Sequence, residues 1–392
     1  MRMVSRCLLS GVWNVWRQHR EDWLVGLAVL EYYRQRDGGD ILPFMNIEKI
    51  LLIRRDNIGD LVCTTPMFEA LRRHYPQARI DVLVNSYNGP VIAANPYIDH
   101  IYSYTKAKHR TSGESVLRVH LRRLLLLWQM RRRRYDVVVA VGAGYLPKVI
   151  RMARLLRPRQ IIAFAPPQSR CCAMRLLAID SATTRPLHEV EDVYRLLLPL
   201  DVTQPPPASL VVPDVSLVAA IQARLPPGEG PWIGVHISSR RPNQRWPVES
   251  FVALMRTLHQ RHGVRFILLW SPGAQDNPFH PGDDEKAVAI IAALPDMATA
   301  VYPCPTQELA ELIAALALCQ CVICSDGGAM HVAAGLGKPI VCFFGGTDTQ
   351  RWHPWQVAHV LLQKTSQVVA DITPEEAVQA YESLALHSED ER

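Results

Sequence analysis

Residues 322–346, VICSDGGAMHVAAGLGKPIVCFFGG, restrict the fold more than any other stretch of this chain. A short apolar run stops at Ser325-Asp326-Gly327-Gly328, a helix of small residues is predicted to start near Ala329, and a second apolar run follows Pro339. Strand, glycine turn and helix in that order bring unpaired backbone N–H groups and the positive end of a helix dipole to one point, which suits an anion such as a diphosphate. Asp326 and His331 set an acidic and a basic side chain beside that point. An ordinary βαβ crossover whose glycines only make a tight turn has the same pattern, so the segment alone leaves both readings open.

The rest of the chain repeats the alternation. Ile50 to Ile53 reads as the first buried strand, a loop runs through Arg54 to Asp60, and a helix is expected from about Thr65 to His74. Ile80 to Val84 is a second strand and Asp136 to Val141 a third or fourth, with an arginine-rich helix over 114–134 between them. A polar, proline-rich stretch from Asp201 to Ser209 interrupts the pattern, which then restarts with strands at 232–237, 265–270, 321–324 and 340–344. Helices are expected at 248–261, 284–293, 306–317 and 329–336. Such alternation builds parallel sheets covered on both faces, an α/β fold. The expected organisation is an N-terminal helical appendage (1–47), a Rossmann-like domain (48–200), a linker (201–210), a second Rossmann-like domain (211–372), and a C-terminal helix (373–392) that crosses back to the first domain. Two such halves leave a cleft between them, and open sheets bind ligands outside the carboxyl ends of their strands.

Composition narrows the class. With 392 residues, 48% hydrophobic and 20% charged, the chain is sized and balanced for a two-domain globular enzyme. The net charge of +6 is unevenly spread: arginines cluster at Arg118, Arg122, Arg123 and Arg131 to Arg134, and again at Arg151, Arg154, Arg157 and Arg159. These point to a face meeting an anionic partner such as a phosphorylated glycolipid or an acidic membrane surface. Leu121, Leu124, Leu125 and Trp128 alternate with those arginines at helical spacing, which suits an interfacial helix or a core-facing helix with a solvated basic side. The Trp and Arg residues of 1–45 leave the same two readings. Nucleic acid is not expected, because the basic clusters lack a binding fold or repeated stacking aromatics. The nine cysteines lack paired spacing and read as buried free thiols in a reducing compartment. A metal at Cys304, Cys319, Cys321 and Cys324 is not expected, since strand alternation sends neighbouring side chains to opposite faces. No apolar run reaches the roughly 18 residues that cross a bilayer. Charges interrupt the first thirty residues and no cleavage site follows, so a cytoplasmic location is expected, at most on the inner face of a bacterial inner membrane.

Two further segments could carry chemistry. Asp60 ends the first strand's loop, where a carboxylate can take a proton from a hydroxyl; as a helix N-cap near Thr64 it would look the same. Arg54 and Arg55 beside it are either solvated charges or holders of an anionic acceptor. Ser238 and Ser239 follow the first strand of the second half, and Gln244 and Arg245 lead into its first helix; hydroxyls and a guanidinium suit phosphate oxygens. The insertion Ser271 to Asp284 is expected to overhang a nucleotide site, with Asp284 or Glu285 contacting a ribose or capping the next helix.

Taken in order, ILLIRRDNIGDLVCTTPMFEALRRHYP, GVHISSRRPNQRWPVESFVAL and CSDGGAMHVAAGLGKPIVCFFGGTD resemble glycosyltransferase family 9, the ADP-heptose:lipopolysaccharide heptosyltransferases, over roughly residues 48–385. The resemblance implies a GT-B architecture, two Rossmann-like domains whose parallel sheets face across a cleft. It also implies inversion at the anomeric carbon, no metal or cofactor, a nucleotide-sugar donor such as ADP-heptose, and a lipopolysaccharide-core or similar glycolipid acceptor. By motif position it makes Asp60 the general base, puts Arg54 on the acceptor side, and assigns Ser238, Ser239, Asp326, Gly327, Gly328 and His331 to the donor, joined by the N–H groups up to Met330. One position departs: the family usually has Lys where this chain has Gln244, so either Arg245 supplies the charge or the donor differs. A GT-B-like nucleotide-sugar epimerase and a non-catalytic protein docking on anionic lipid are the competing expectations.

Overall fold

The computed structural model describes residues 46–104, 116–165, 176–183, 185–275 and 282–389. Residues 1–45 of the N-terminal appendage and the tip of the 271–284 insertion lie outside them. The first half runs β1 (Lys49–Ile53), α1 (Ile58–Val62), α2 (Thr65–His74), β2 (Arg79–Asn85), β3 (His100–Tyr104), α3 (Val116–Arg133), β4 (Val137–Ala140), α4 (Pro147–Leu156), β5 (Gln160–Ala165), β6 (Leu176–Asp180) and α5 (Glu189–Tyr194). The second runs α6 (Val215–Gln222), β7 (Trp232–His236), α7 (Val248–His262), β8 (Arg265–Trp270), α8 (Asp284–Ala292), β9 (Val301–Pro305), α9 (Leu309–Ala317), β10 (Cys321–Ser325), α10 (Gly328–Gly335), β11 (Ile340–Phe344), α11 (Thr349–Trp352), β12 (His359–Gln363) and α12 (Pro374–Glu389).

Both sheets are six-stranded and parallel, in the orders β3-β2-β1-β4-β5-β6 and β12-β11-β10-β7-β8-β9. Counted within its own half, each has the same order, 3-2-1-4-5-6. In that topology the crossovers leave the first strand in opposite directions, opening a crevice beside its carboxyl end. The crevices therefore lie between β1 and β4 and between β7 and β10. The loops expected to carry chemistry follow β1, β7 and β10.

Burial explains the strands. Ile50 and Leu52 join the core shared with α2 and with α9 and α10 of the second half, whereas Leu51 and Ile53 join a separate core under α3 and α4. Alternate side chains point to opposite faces, so sheet one has an inner face toward the second half and an outer face under α3 and α4. The six cysteines among the described residues are buried and free.

The connector is strapped rather than loose. The Leu210 N–H donates to Thr65 Oγ1 (2.9 Å), Val211 N–H to the Gly335 carbonyl (2.7 Å), and Trp355 Nε1 to the Pro207 carbonyl (2.9 Å). A Cβ on Gly335 would stand 2.5 Å from Val211 Cγ2, so only glycine lets the linker pass this close. Over its described residues the C-terminal helix α12 packs on α7, β11 and β12. Ala377, Val378, Ala380 and Tyr381 find an apolar partner beside α7, and their burial there fixes the helix to the second half.

Candidate active site

The chain leaves β1 at Arg54, whose N–H bonds the Leu83 carbonyl, and turns into α1. Asp60 is the third residue of that helix. Its Oδ2 accepts from the Asn57 N–H (2.9 Å) and from Asn57 Nδ2 (3.1 Å), so the carboxylate braces the start of α1 rather than capping the helix that begins at Thr65. Its Oδ1 accepts from Arg54 Nη2 at 2.9 Å, and its side chain remains 15% exposed.

Arg54 corrects the sequence reading. It is not a solvated charge: its side chain is 0% exposed, and Nη2 also donates to Glu189 Oε1 (2.8 Å) while Nε lies 3.2 Å from Asp56. Burial alone would lower the guanidinium's pKa, but the carboxylates of Glu189, Asp60 and Asp56 overcome it and raise it. Glu189 comes from α5, and its second oxygen accepts from Arg351 of α11 in the second half. Arg351 also reaches Asp192 (3.1 Å). Burial pushes the Glu189 carboxyl upward while Arg54 and Arg351 pull it back. Neither Glu189 nor Arg351 carries a local sequence signal. Arg55 turns to the sheet edge, where Nε bonds the Tyr104 hydroxyl (2.5 Å) and the guanidinium lies over that ring.

In the second half β10 ends at Ser325, whose hydroxyl bonds the Gln244 carbonyl (2.8 Å). Gly327 opens α10 with no side chain to cap it, so the first N–H groups of the helix stay available to a ligand. Met330 contributes only such a backbone group, because its side chain is fully buried against Cys342. Gln244 is buried and central: Nε2 donates to Asp326 Oδ2 (2.8 Å) and Thr347 Oγ1 (3.1 Å), and Oε1 accepts from Ser239 (3.3 Å). It is thus a neutral brace for Asp326. Ser238 Oγ accepts from the Ser271 N–H (2.9 Å), and Arg245 Nε donates to the Ser239 carbonyl (3.0 Å).

A cation missed in the sequence lies nearby. Lys286, in the first turn of α8, donates to the Ile237 carbonyl at the end of β7 (3.1 Å). Burial lowers its pKa to about 8, opposed by Asp283 and reinforced by Arg245. Asp284 neither caps α8 through its side chain nor stands free, since it accepts from Trp270 Nε1 (2.7 Å) and the Gly273 N–H (2.8 Å). Glu285 is exposed.

The two strand ends meet directly. Helices α1 and α10 pack together so closely that a Cβ on Gly59 would fall 2.5 Å from His331 Cδ2, and one on Gly328 would fall 3.3 Å from Ile58 Cβ. His331 is buried beside Cys63 Sγ (3.8 Å) and edge-on to Trp352. Burial lowers its pKa although Asp326 and Asp60 both oppose the shift. Asp60 directly follows Gly59, so the carboxylate and the anion-binding turn lie on adjoining helices. Among the described residues no group of His, Cys, Asp or Glu is arranged to hold a metal ion.

Comparison with known proteins agrees with this layout. The sequence model of glycosyltransferase family 9 (heptosyltransferase) matches residues 125–381. Lipopolysaccharide heptosyltransferase 3 of Escherichia coli is 25% identical over 303 residues, 76% of this chain and 83% of that protein. Lipopolysaccharide heptosyltransferase 2 of E. coli K12 is 24% identical over 377 residues, 87% and 99% of the two. Among solved structures, a family 9 glycosyltransferase from Veillonella parvula superposes with a TM-score of 0.71 at 20% identity, covering 88% of this chain and 99% of its own. The E. coli ADP-heptose heptosyltransferase II gives 0.68 at 21%, covering 87% and 99%. The shared architecture is GT-B.

Proposed function

This chain belongs to glycosyltransferase family 9 and is a glycosyltransferase; from that premise we propose that it moves heptose, or a related sugar, from a nucleotide-diphosphate donor to the inner core of lipopolysaccharide or a similar glycolipid. The observation that carries the reading is the packing of α1 on α10, which sets a partly exposed carboxylate beside an uncapped helix N-terminus. Relatives named as lipopolysaccharide heptosyltransferases, and a solved E. coli relative described with ADP, support the donor and acceptor classes.

In this mechanism Asp60 accepts the proton of the acceptor hydroxyl as that oxygen attacks the anomeric carbon. The bond from that carbon to the diphosphate breaks on the opposite face, so the configuration inverts. The electron pair leaves with the diphosphate, where the N–H groups of Gly327 to Met330 meet the growing charge, with Arg245 and Lys286 supplying the positive charge that Gln244 lacks. Those groups do the work a metal would otherwise do. Arg54 and Glu189 act behind the base, holding it in place. The free, buried thiols suit a reducing compartment, and we place the reaction in the cytoplasm.

Asp60→Asn tests the assignment. Loss of a general base costs roughly 10²–10⁴ in kcat, with ADP binding retained because the donor groups sit on the other half. Full turnover in that variant removes Asp60 from the role. Mass spectrometry of products from a panel of nucleotide-sugars and truncated lipopolysaccharide identifies the sugar; an epimer formed from donor alone would replace the transfer reading.

A further inference from the structure

The basic helix leaves its apolar stripe uncovered. Leu121, Leu124, Leu125 and Trp128 follow one another at helical spacing on α3 and are 52%, 62%, 58% and 53% exposed, while Met130 and the half-buried Leu126 and Leu127 make the contact with sheet one. The reading of those four residues as core-facing is therefore wrong. On neighbouring α4, Leu155 is 57% exposed, and Arg131 ties the helices together through the Leu155 carbonyl (3.0 Å). Scattered exposed leucines are ordinary, but an aligned row of them with a tryptophan marks a contact surface.

Charge names the partner. From residue 115 to residue 159 the only acidic residue is Asp136, and it is occupied by Arg159 and by the Glu48 and Lys49 N–H groups. The stripe ends at an open depression of about 450 Å³ lined by His100, Tyr102, Trp128, Gln129, Arg132 and Arg133, with the Arg132 guanidinium 4.5 Å above the Trp128 ring. We propose that the outer face of α3 and α4 docks on an anionic lipid bilayer, the leucines and Trp128 entering the interface while the arginines meet lipid phosphates, one of which seats in this depression.

Other occupants fit less well. A second copy would bring one arginine-rich face against another. The chain's own stretches outside the described residues are no better matched: 105–115 and 166–175 are basic, and 1–45 is nearly balanced. Nucleic acid would satisfy the arginines but not a row of exposed leucines. Leucine and tryptophan over arginine is the composition of an interfacial helix. The orientation is also apt, because α3 and α4 cover the face of sheet one turned away from the second half. The half carrying Asp60 would rest on the membrane, leaving the other half clear of it.

Co-sedimentation of the full chain with phosphatidylcholine vesicles, with and without phosphatidylglycerol, tests the proposal. Binding is expected only with the anionic lipid and should fall with salt. Leu124→Ser/Leu125→Ser should weaken it roughly tenfold or more, and Arg132→Ser roughly fivefold, the share of one basic residue near such a surface. The positions are exposed, and unchanged thermal melting will show that the variants fold. Both variants should transfer sugar to a lipid-free, water-soluble acceptor as well as the parent does. Equal binding to neutral vesicles, no binding at all, or binding that ignores both variants overturns the docking face. So does stripe-dependent binding of poly(U) without vesicle binding. Absent transfer in every form, with lipid binding intact, would count against the proposed reaction and not against the docking surface.

Discussion

Glu189→Gln isolates how the base is held. The Glu189 carboxylate is 0% exposed and divided between Arg54, also 0% exposed, and Arg351, 30% exposed. Glutamine keeps the shape, and its oxygen can still accept from Arg54, but its NH2 then faces the Arg351 guanidinium, donor against donor. Breaking a buried ion pair by removing one partner costs roughly 3–5 kcal/mol. Asp60 and Asp56 still neutralise Arg54, so the lower end, about 3 kcal/mol, is expected. Arg351→Gln makes the contrast: that side chain meets water, and Glu189 keeps Arg54, so the loss should be about 1 kcal/mol or less. Urea denaturation of both variants gives the two numbers. Steady-state kinetics adds a readout that a merely structural role would not move. With Glu189 neutral, Arg54 leans harder on Asp60 and Asp56 and draws the base from its place, so kcat should fall about ten- to hundredfold with little change in the KM for donor. Equal stability losses in the two variants, or a rise in donor KM with kcat preserved, would refute the cluster as the device that positions the base.

Three more outcomes follow from the same geometry. Gly59→Ala would put a Cβ 2.5 Å from the His331 ring, and overpacking of this kind costs roughly 1–3 kcal/mol; adding His331→Ala should recover much of the loss in thermal melting. His188 takes an N–H bond from Val190 on Nδ1 (3.1 Å) and meets the His353 carbonyl with Nε2 (2.9 Å), which leaves no nitrogen for a second proton. Burial, with His353 next, lowers its pKa to about 2. The unfolded chain therefore binds this proton first as pH drops below about 6.5, and stability should fall by up to about 1.4 kcal/mol per pH unit through that acidic window. His188→Asn, which can still cap α5, should flatten the slope in urea titrations between pH 7 and 5, and parallel curves would refute the assignment. Lys286→Met should weaken ADP binding about tenfold by calorimetry if its ammonium meets the diphosphate; unchanged affinity would leave Arg245 to supply the charge alone.

What the sequence disclosed and what it hid divide along a physical line. Central strands such as Ile50 to Ile53 and Ile340 to Phe344 are buried on both faces and read as unbroken apolar runs. Edge strands do not: β3 is HIYSY and β9 is VYPCP, polar or proline-bearing because one side lacks a partner strand, and neither stands out. The site divides in the same way. Asp60 and the glycine turn after Ser325 follow a strand and precede a helix, so local pattern locates them. Glu189 reaches Arg54 across 135 positions and Arg351 across 162, and no local pattern encodes a partner that distant. Arg54 shows the consequence. Its neighbours in sequence make it look like a strand-end cation open to an anionic acceptor, yet the arrival of α5 turns that position into the inside of the molecule. The stripe on α3 errs the opposite way: periodicity shows that Leu121, Leu124, Leu125 and Trp128 share a face but cannot say whether protein covers it. An apolar period specifies burial only when a partner element exists. Where the fold provides none and the flanking charges share one sign, the same period describes an interface awaiting another phase.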